Sequence, residues 1–135
     1  MPDTLPVTAV HHISHITTNL DASRAFYRDV LGFRTIQRPN FKFPGAWLFN
    51  YGVQVHLIVD ESAARPEHQV STRVDHIAFH VEDTAQVEGL LQEHGIEYRV
   101  NQVADTGVTQ LFFCDPDGNH IEIGCYPPPL EMPTE

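Results

Sequence analysis

Three histidines and one glutamate stand where their spacing can do chemistry: His12, His56, His76 and Glu122. His12 precedes His56 by 44 residues and His76 precedes Glu122 by 46, while His12 and His76 are 64 apart. Three imidazoles and one carboxylate form a borderline-hard donor set that suits one divalent Zn, Ni, Co, Mn or Fe ion, with one or two positions open to water or substrate. Taken singly, each residue has an ordinary reading. A strand histidine is usually hydrogen-bonded in the core or at the surface, and a glutamate between Ile121 and Ile123 usually faces solvent. The repeat-related spacing argues for the ion, because polar groups buried without partners cost about 2–7 kcal/mol each and a shared metal satisfies all four. Glu122 is the carboxylate of the set and the first candidate for a catalytic base. His80 and His120, on the same strand faces, are second candidates for proton transfer, with pocket wall or outer support of the ligands as the alternative.

These residues need elements that aim them. Val10-His11-His12-Ile13-Ser14-His15-Ile16 resembles Val74-Asp75-His76-Ile77-Ala78-Phe79-His80, so the chain reads as two copies of one module. A helix signal follows each copy. In the first, Asn19 or Asp21 caps, Ala22, Ala25, Phe26 and Val30 recur at helical spacing, and Gly32 stops it. In the second, Asp83 with Gln86 makes a capping box, Val87, Leu90 and Leu91 make the apolar stripe, and Gly95 stops it. Strands are predicted over 33–37, 46–50 and 53–59, and over 97–103, 109–113 and 119–125, with turns at Asn50-Tyr51-Gly52 and Asp115-Pro116-Asp117-Gly118. The fold class is therefore α+β: two βαβββ modules, 8–60 and 74–126, forming one domain as a curved half-open barrel with helices outside. Residues 61–73 read as a linker and 127–135 as a Pro-rich tail, and the chain from Tyr126 onward as an extended or fraying arm.

Strand alternation then sorts the side chains. His12, Ser14 and Ile16, Gln54, His56 and Ile58, His76, Ala78 and His80, and His120, Glu122 and Gly124 fall on concave faces. Val55 and Leu57, Ile77 and Phe79, and Ile121, Ile123 and Cys125 fall on helix-facing sides. His15 occupies the place of Phe79 and belongs with the core. Phe41, Phe43 and Trp47 flank Pro44-Gly45 and either line an apolar substrate pocket or cover an end of the barrel or a dimer contact.

Composition narrows the partners. The 135 residues are 41 % hydrophobic and 19 % charged, as in a globular domain. A formal charge of −10, with 8 Lys plus Arg and no basic run, argues against nucleic acid and anionic membranes as partners. No apolar run reaches the roughly 18 residues of a membrane span, and Met1 to Leu5 lack a secretory pattern. Cys114 and Cys125 lie in apolar strand stretches and read as reduced core residues of a cytoplasmic protein.

The segments His12-Ile13-Ser14, Ala25-Phe26-Tyr27-Arg28-Asp29-Val30-Leu31-Gly32-Phe33, Asp75-His76-Ile77-Ala78-Phe79 and Asp115-Pro116-Asp117-Gly118-Asn119-His120-Ile121-Glu122 resemble the vicinal oxygen chelate superfamily from about Val10 to Cys125. That superfamily includes glyoxalase I, fosfomycin-resistance thiol transferases, extradiol dioxygenases and bleomycin-resistance proteins. The stretch from Gly45 to Leu57 looks most like the glyoxalase-like group. The resemblance implies that His12, His76 and Glu122 fall on family ligand positions, and that His56 falls on a fourth where many members carry Glu or Gln. It also implies a homodimer, a small carbonyl or hydroxy substrate, and Lewis-acid lyase or isomerase chemistry in which a base moves a proton beside a carbonyl. Ile16 stands where glyoxalase I carries an arginine for glutathione, and His56 where it carries a carboxylate, so both positions depart from the glutathione-dependent pattern. Arg99, with Arg73 at the end of the linker just before it, is all the Lys or Arg that the second module can call on, too little for a phosphonate or a coenzyme A ester. Two alternatives stay open. His12, His76 and Glu122 alone make the facial triad of a ring-cleaving dioxygenase, and the acidic charge suits a drug-binding resistance protein.

Overall fold

A computed structural model describes residues 3–63 and 69–127, and the chain divides into two compact units, Met1–Ala63 and Ala64–Glu135. The first unit runs β1 (His12–Thr17), α1 (Leu20–Ala25) continuing into a π-helical turn (Phe26–Val30), β2 (Arg34–Ile36), β3 (Gly45–Asn50) and β4 (Val53–Val59). The second runs β5 (His76–His80), α2 (Thr84–Glu93), β6 (Arg99–Gln102), β7 (Thr109–Cys114) and β8 (His120–Gly124). The sheets have the orders β1-β4-β3-β2 and β5-β8-β7-β6. In each, the first strand pairs parallel to the last and the other pairs are antiparallel. The α+β class and the two βαβββ sheets are those the sequence predicts.

The helices start on side-chain caps. Asn19 Oδ1 accepts from the Ala22 N–H at 3.1 Å, and Asp83 Oδ1 accepts from Ala85 and Gln86 at 3.0 and 3.3 Å. Each cap satisfies otherwise orphaned donors and contributes about 1 kcal/mol. Both helices stop at a left-handed glycine, Gly32 at φ +80° and Gly95 at φ +69°. The first helix widens at its end, where Leu31 N–H reaches Phe26 O at 3.3 Å, five residues back. The wider turn lets the adjacent Phe26 and Tyr27 both turn inward, and both are buried. A 3.6-residue spacing rule does not foresee that turn. In α2 the apolar stripe is narrower than predicted. Leu91 is buried and Val87 half-buried, but Leu90 is exposed, because it stands about 100° around the helix from Leu91.

Strand alternation is realised. Val55, Leu57 and Leu48 in the first sheet, and Ile121, Ile123, Leu111 and Phe113 in the second, are buried on one face. Burying each such side chain contributes about 1.5–3 kcal/mol. His15 lies on the same side as Leu57, its ring 6.4 Å from Tyr27, in keeping with its core assignment. Tyr51 (φ 53°) and Gly52 (φ 74°) are successive left-handed residues, the conformation of a tight primed hairpin turn. In the second hairpin the buried Asp115 accepts from Asp117 N and Asn119 N at 2.9 Å and from Asn119 Nδ2 at 2.8 Å.

Both cysteines are free, but the core assignment fails for Cys125. β8 ends at Gly124, so alternation no longer directs Cys125 inward and it is exposed. Cys114 is half-buried, and burial, then Asp115 and Glu97, push its thiol up to about 11. Residues 64–68 of the predicted linker and 128–135 of the predicted tail lie outside the described residues.

Candidate functional site

Register sets which side chains share a face. In the first sheet Ser14, His56 and Trp47 are aligned across β1, β4 and β3, with His12 opposite Gln54. In the second, Ala78, Glu122 and Phe112 are aligned across β5, β8 and β7, with His76 opposite His120. His12 thus stands to His56 as His76 stands to Glu122, two residues along the first strand from the other's partner. Each unit brings together its own two predicted ligands.

In the first unit the ring of His56 lies between those of His12 and Trp47, with centroids 4.0 and 4.1 Å away and planes 14° and 3° apart. His56 is buried, and its Nε2 donates to Gln54 Oε1 at 2.8 Å. Burial first, then the neighbouring His12, His11 and Arg38, pulls its pKa below the ordinary imidazole value and favours the neutral ring that a metal requires. His12 shares a proton with His11 across 2.8 Å between their Nδ1 atoms. A cavity of about 210 Å³ opens here, lined by His12, Ser14, Arg38, Phe41, Phe43, Trp47, His56 and Ile58. The aromatic trio therefore lines a pocket.

In the second unit the His76 Nδ1–H donates to Val74 O at 2.8 Å. A carbonyl only accepts, so Nδ1 carries a proton, and Nε2 faces Glu122 Oε1 at 3.4 Å. An imidazole nitrogen facing a carboxylate oxygen pairs through a proton or, once deprotonated, shares a cation, and a backbone bond to the far nitrogen is the usual support of a metal-ligating imidazole. Glu122 is buried, and its other oxygen accepts a very short hydrogen bond from the Tyr126 hydroxyl. Burial, then the bond to and charge of Glu122, raises the Tyr126 pKa well above the ordinary phenol value.

His120 and His80 are committed at both nitrogens. His120 Nδ1 donates to Gly118 O at 3.1 Å and its Nε2 accepts from Ser71 N–H at 2.9 Å. His80 Nε2 donates to Glu82 Oε1 at 3.1 Å and its Nδ1 accepts from Tyr126 N–H at 3.0 Å. His80, Glu82 and Cys125 also present donor atoms within 4.8 Å of one another, all three residues exposed. The geometry gives His80 and His120 the work of holding the chain around β8.

Tyr126 is the residue that sequence reasoning missed. β8 ends at Gly124, and the Tyr126 side chain lies back over Gly124 so that its phenol meets Glu122. A Cβ at Gly124 would lie 2.5 Å from the Tyr126 Cζ and hydroxyl oxygen, so this placement needs glycine there. A glycine two residues before a tyrosine, just past a strand carrying a buried carboxylate, was the available signal.

A family model described as the Glyoxalase/Bleomycin resistance protein/Dioxygenase superfamily matches residues 9–123. The chain is 41 % identical over 127 residues to Glyoxylase I 4 of Arabidopsis thaliana, an alignment covering 88 % of this chain and 71 % of that one. Among solved structures, the glyoxalase family protein from Enterococcus faecalis is 30 % identical with a TM-score of 0.67, covering 86 % of this chain and 96 % of its own. The fosfomycin resistance protein FosX from Listeria monocytogenes shares the fold at a TM-score of 0.74 and 16 % identity, over 90 % of this chain and 95 % of its own.

Proposed function

The chain belongs to the Glyoxalase/Bleomycin resistance protein/Dioxygenase superfamily, and we propose that it is a metal-dependent lyase or isomerase of glyoxalase I type acting on a small carbonyl or hydroxy compound. Members of the superfamily typically bind a divalent metal, and the donor chemistry here fits one. In this reading His12, His56, His76 and Glu122 hold a single Zn, Ni, Co, Mn or Fe ion. The two modules, 8–60 and 74–126, act as one glyoxalase-like domain, in a cytoplasmic homodimer. The observation that carries the reading is the His76–Glu122 pair, with Nε2 and a carboxylate oxygen 3.4 Å apart and the far imidazole nitrogen held on the Val74 carbonyl.

When bound, the metal supplies Lewis acidity at a substrate oxygen. The remaining work belongs to the chain. Glu122 is the base, taking a proton from the carbon beside a carbonyl and returning it to the neighbouring carbon. Tyr126 holds one carboxylate oxygen and keeps its own proton, so the other oxygen is the one presented toward His76. His80 holds the Tyr126 backbone, and His120 ties the start of β8 to Ser71.

The test is elemental analysis of purified protein beside His56→Ala and Glu122→Gln. One divalent ion per chain in the parent, and loss in both variants, supports the assignment. Full occupancy in both variants removes these residues from the ligand set.

A further inference from the structure

The first unit carries a feature that metal chemistry does not use. Arg38 follows β2, and its guanidinium carbon lies 4.8 Å from the Phe41 ring centre and 4.9 Å from that of Phe43. The two phenyl rings are themselves stacked, 5.2 Å apart and 11° from parallel. One Arg38 N–H donates to Phe43 O at 2.9 Å. The same terminal nitrogen lies against Gly45, where a Cβ would stand 3.1 Å from it. The group is thus half-buried and held by rings, a carbonyl and a backbone close approach.

A guanidinium has five N–H donors. Among the described residues Arg38 uses one on Phe43 and pairs with no carboxylate, although the chain has 18 Asp plus Glu against 8 Lys plus Arg. Arg24 and Arg28, by contrast, sit beside Asp21 and Asp29. The group lines the cavity of about 210 Å³. That volume is below the roughly 300–1,000 Å³ of sites for drug-sized ligands, so the occupant is small. The rest of the wall is Phe41, Phe43, Trp47 and Ile58 with Ser14, His12 and His56, and one guanidinium among mainly ring faces suits a monoanion better than a phosphate dianion.

From this we infer that the cavity binds a small monocarboxylate with an apolar or aromatic body: Arg38 takes the carboxylate, and Phe41, Phe43 and Trp47 take the body. The inference narrows the substrate class of the proposed lyase and rests on that reading only for which molecule is turned over. The binding site itself is built by the first unit alone. Planar guanidinium–carboxylate pairing is bidentate and directional, so Arg38 also sets which end of the ligand faces His12 and His56.

Trp47 is the chain's only tryptophan and lines this cavity, so its fluorescence reports occupancy. Full-length protein is titrated with benzoate, with the neutral isostere benzamide, and with phenyl phosphate. We expect benzoate to bind at least tenfold more tightly than either. Arg38→Gln should bring benzoate to the benzamide level and leave benzamide unchanged, while Arg38→Lys, which keeps the charge but not the fork, should retain part of the preference. Far-ultraviolet circular dichroism of both variants checks the fold; if Arg38→Gln fails to fold, the parent panel and Arg38→Lys decide. Equal binding of benzoate and benzamide by the parent, an undiminished preference in Arg38→Gln, or tighter binding of phenyl phosphate overturns the inference. Metal content is read on the same samples. A metal-free parent that discriminates through Arg38 sinks the lyase reading and leaves this site standing, and a metal-loaded parent without discrimination does the reverse.

Discussion

The two units share a strand order and a register, yet they are furnished differently. At the shared diagonal the first has an imidazole pair beneath a tryptophan, and the second has an imidazole and a carboxylate held by a phenol. The first also has a cavity with a fixed cation, while the second has its hydrogen bonds concentrated around β8. On the proposed reading, a repeated scaffold keeps its geometry and divides its chemistry, with recognition in one half and proton handling in the other. Identical backbone register is compatible with that division because side chains on a common face can change without moving the strands.

The sharpest way to break this comparison is Glu122→Gln. It should lower turnover about a hundredfold or more, the usual contribution of a positioned base, while His56→Ala should lower metal content and leave the solvent exchange of any residual turnover intact. Isotope exchange from deuterated water, measured beside elemental analysis, separates the two. Tyr126→Phe comes next. Removing the hydroxyl should weaken metal affinity about 10–100-fold, as expected for a group that orients a ligand, with an unchanged circular dichroism spectrum; a chelator competition titration reads it.

The hairpin turns supply a stability comparison. Asp115→Ala removes three hydrogen bonds to a buried carboxylate and should cost about 1.5–3 kcal/mol in urea unfolding. Asn50→Ala loses a bond to Gly32 O and one from Tyr51 N–H at an exposed turn, and should cost about 1 kcal/mol. Smallest is a pH effect. The folded-state pKa of His56 lies below its unfolded value, so the unfolded chain binds the proton more readily. Its stability contribution is present at neutral pH and is lost as pH falls through the ordinary imidazole range. Melting temperatures of parent and His56→Gln between pH 7.5 and pH 5.5 should therefore converge on the acid side, the pH window following from the ordinary imidazole value near 6.5.

Much of this was legible in the sequence, for identifiable reasons. Period-two alternation of apolar and polar residues in Val53–Val59 and His120–Gly124 is written residue by residue, because successive side chains point to opposite faces even where both faces are buried. Asn19 and Asp83 announced helix starts because few other side chains reach the first free N–H groups. The metal-ligand candidates followed from the repeat. What the sequence hid depends on contacts without a period. Tyr126 reaches Glu122 with its side chain across Gly124, beyond the end of β8, and Arg38 finds Phe41 and Phe43 through an irregular loop. The π-helical turn at Phe26 was hidden as well, since a pair of neighbouring aromatics is ambiguous until both are seen to be buried.

Gly45 carries a consequence for altering the molecule. A Cβ there would lie 2.4 Å from the Leu57 carbonyl oxygen, rigid backbone that cannot yield. Anyone diversifying the loop that precedes it, to accept bulkier or differently charged guests, can vary 39, 40 and 42, changes Arg38's support by varying Phe41 or Phe43, and must hold position 45 invariant. Variants there are expected to drop out of a library through failed expression before any selection for new specificity begins.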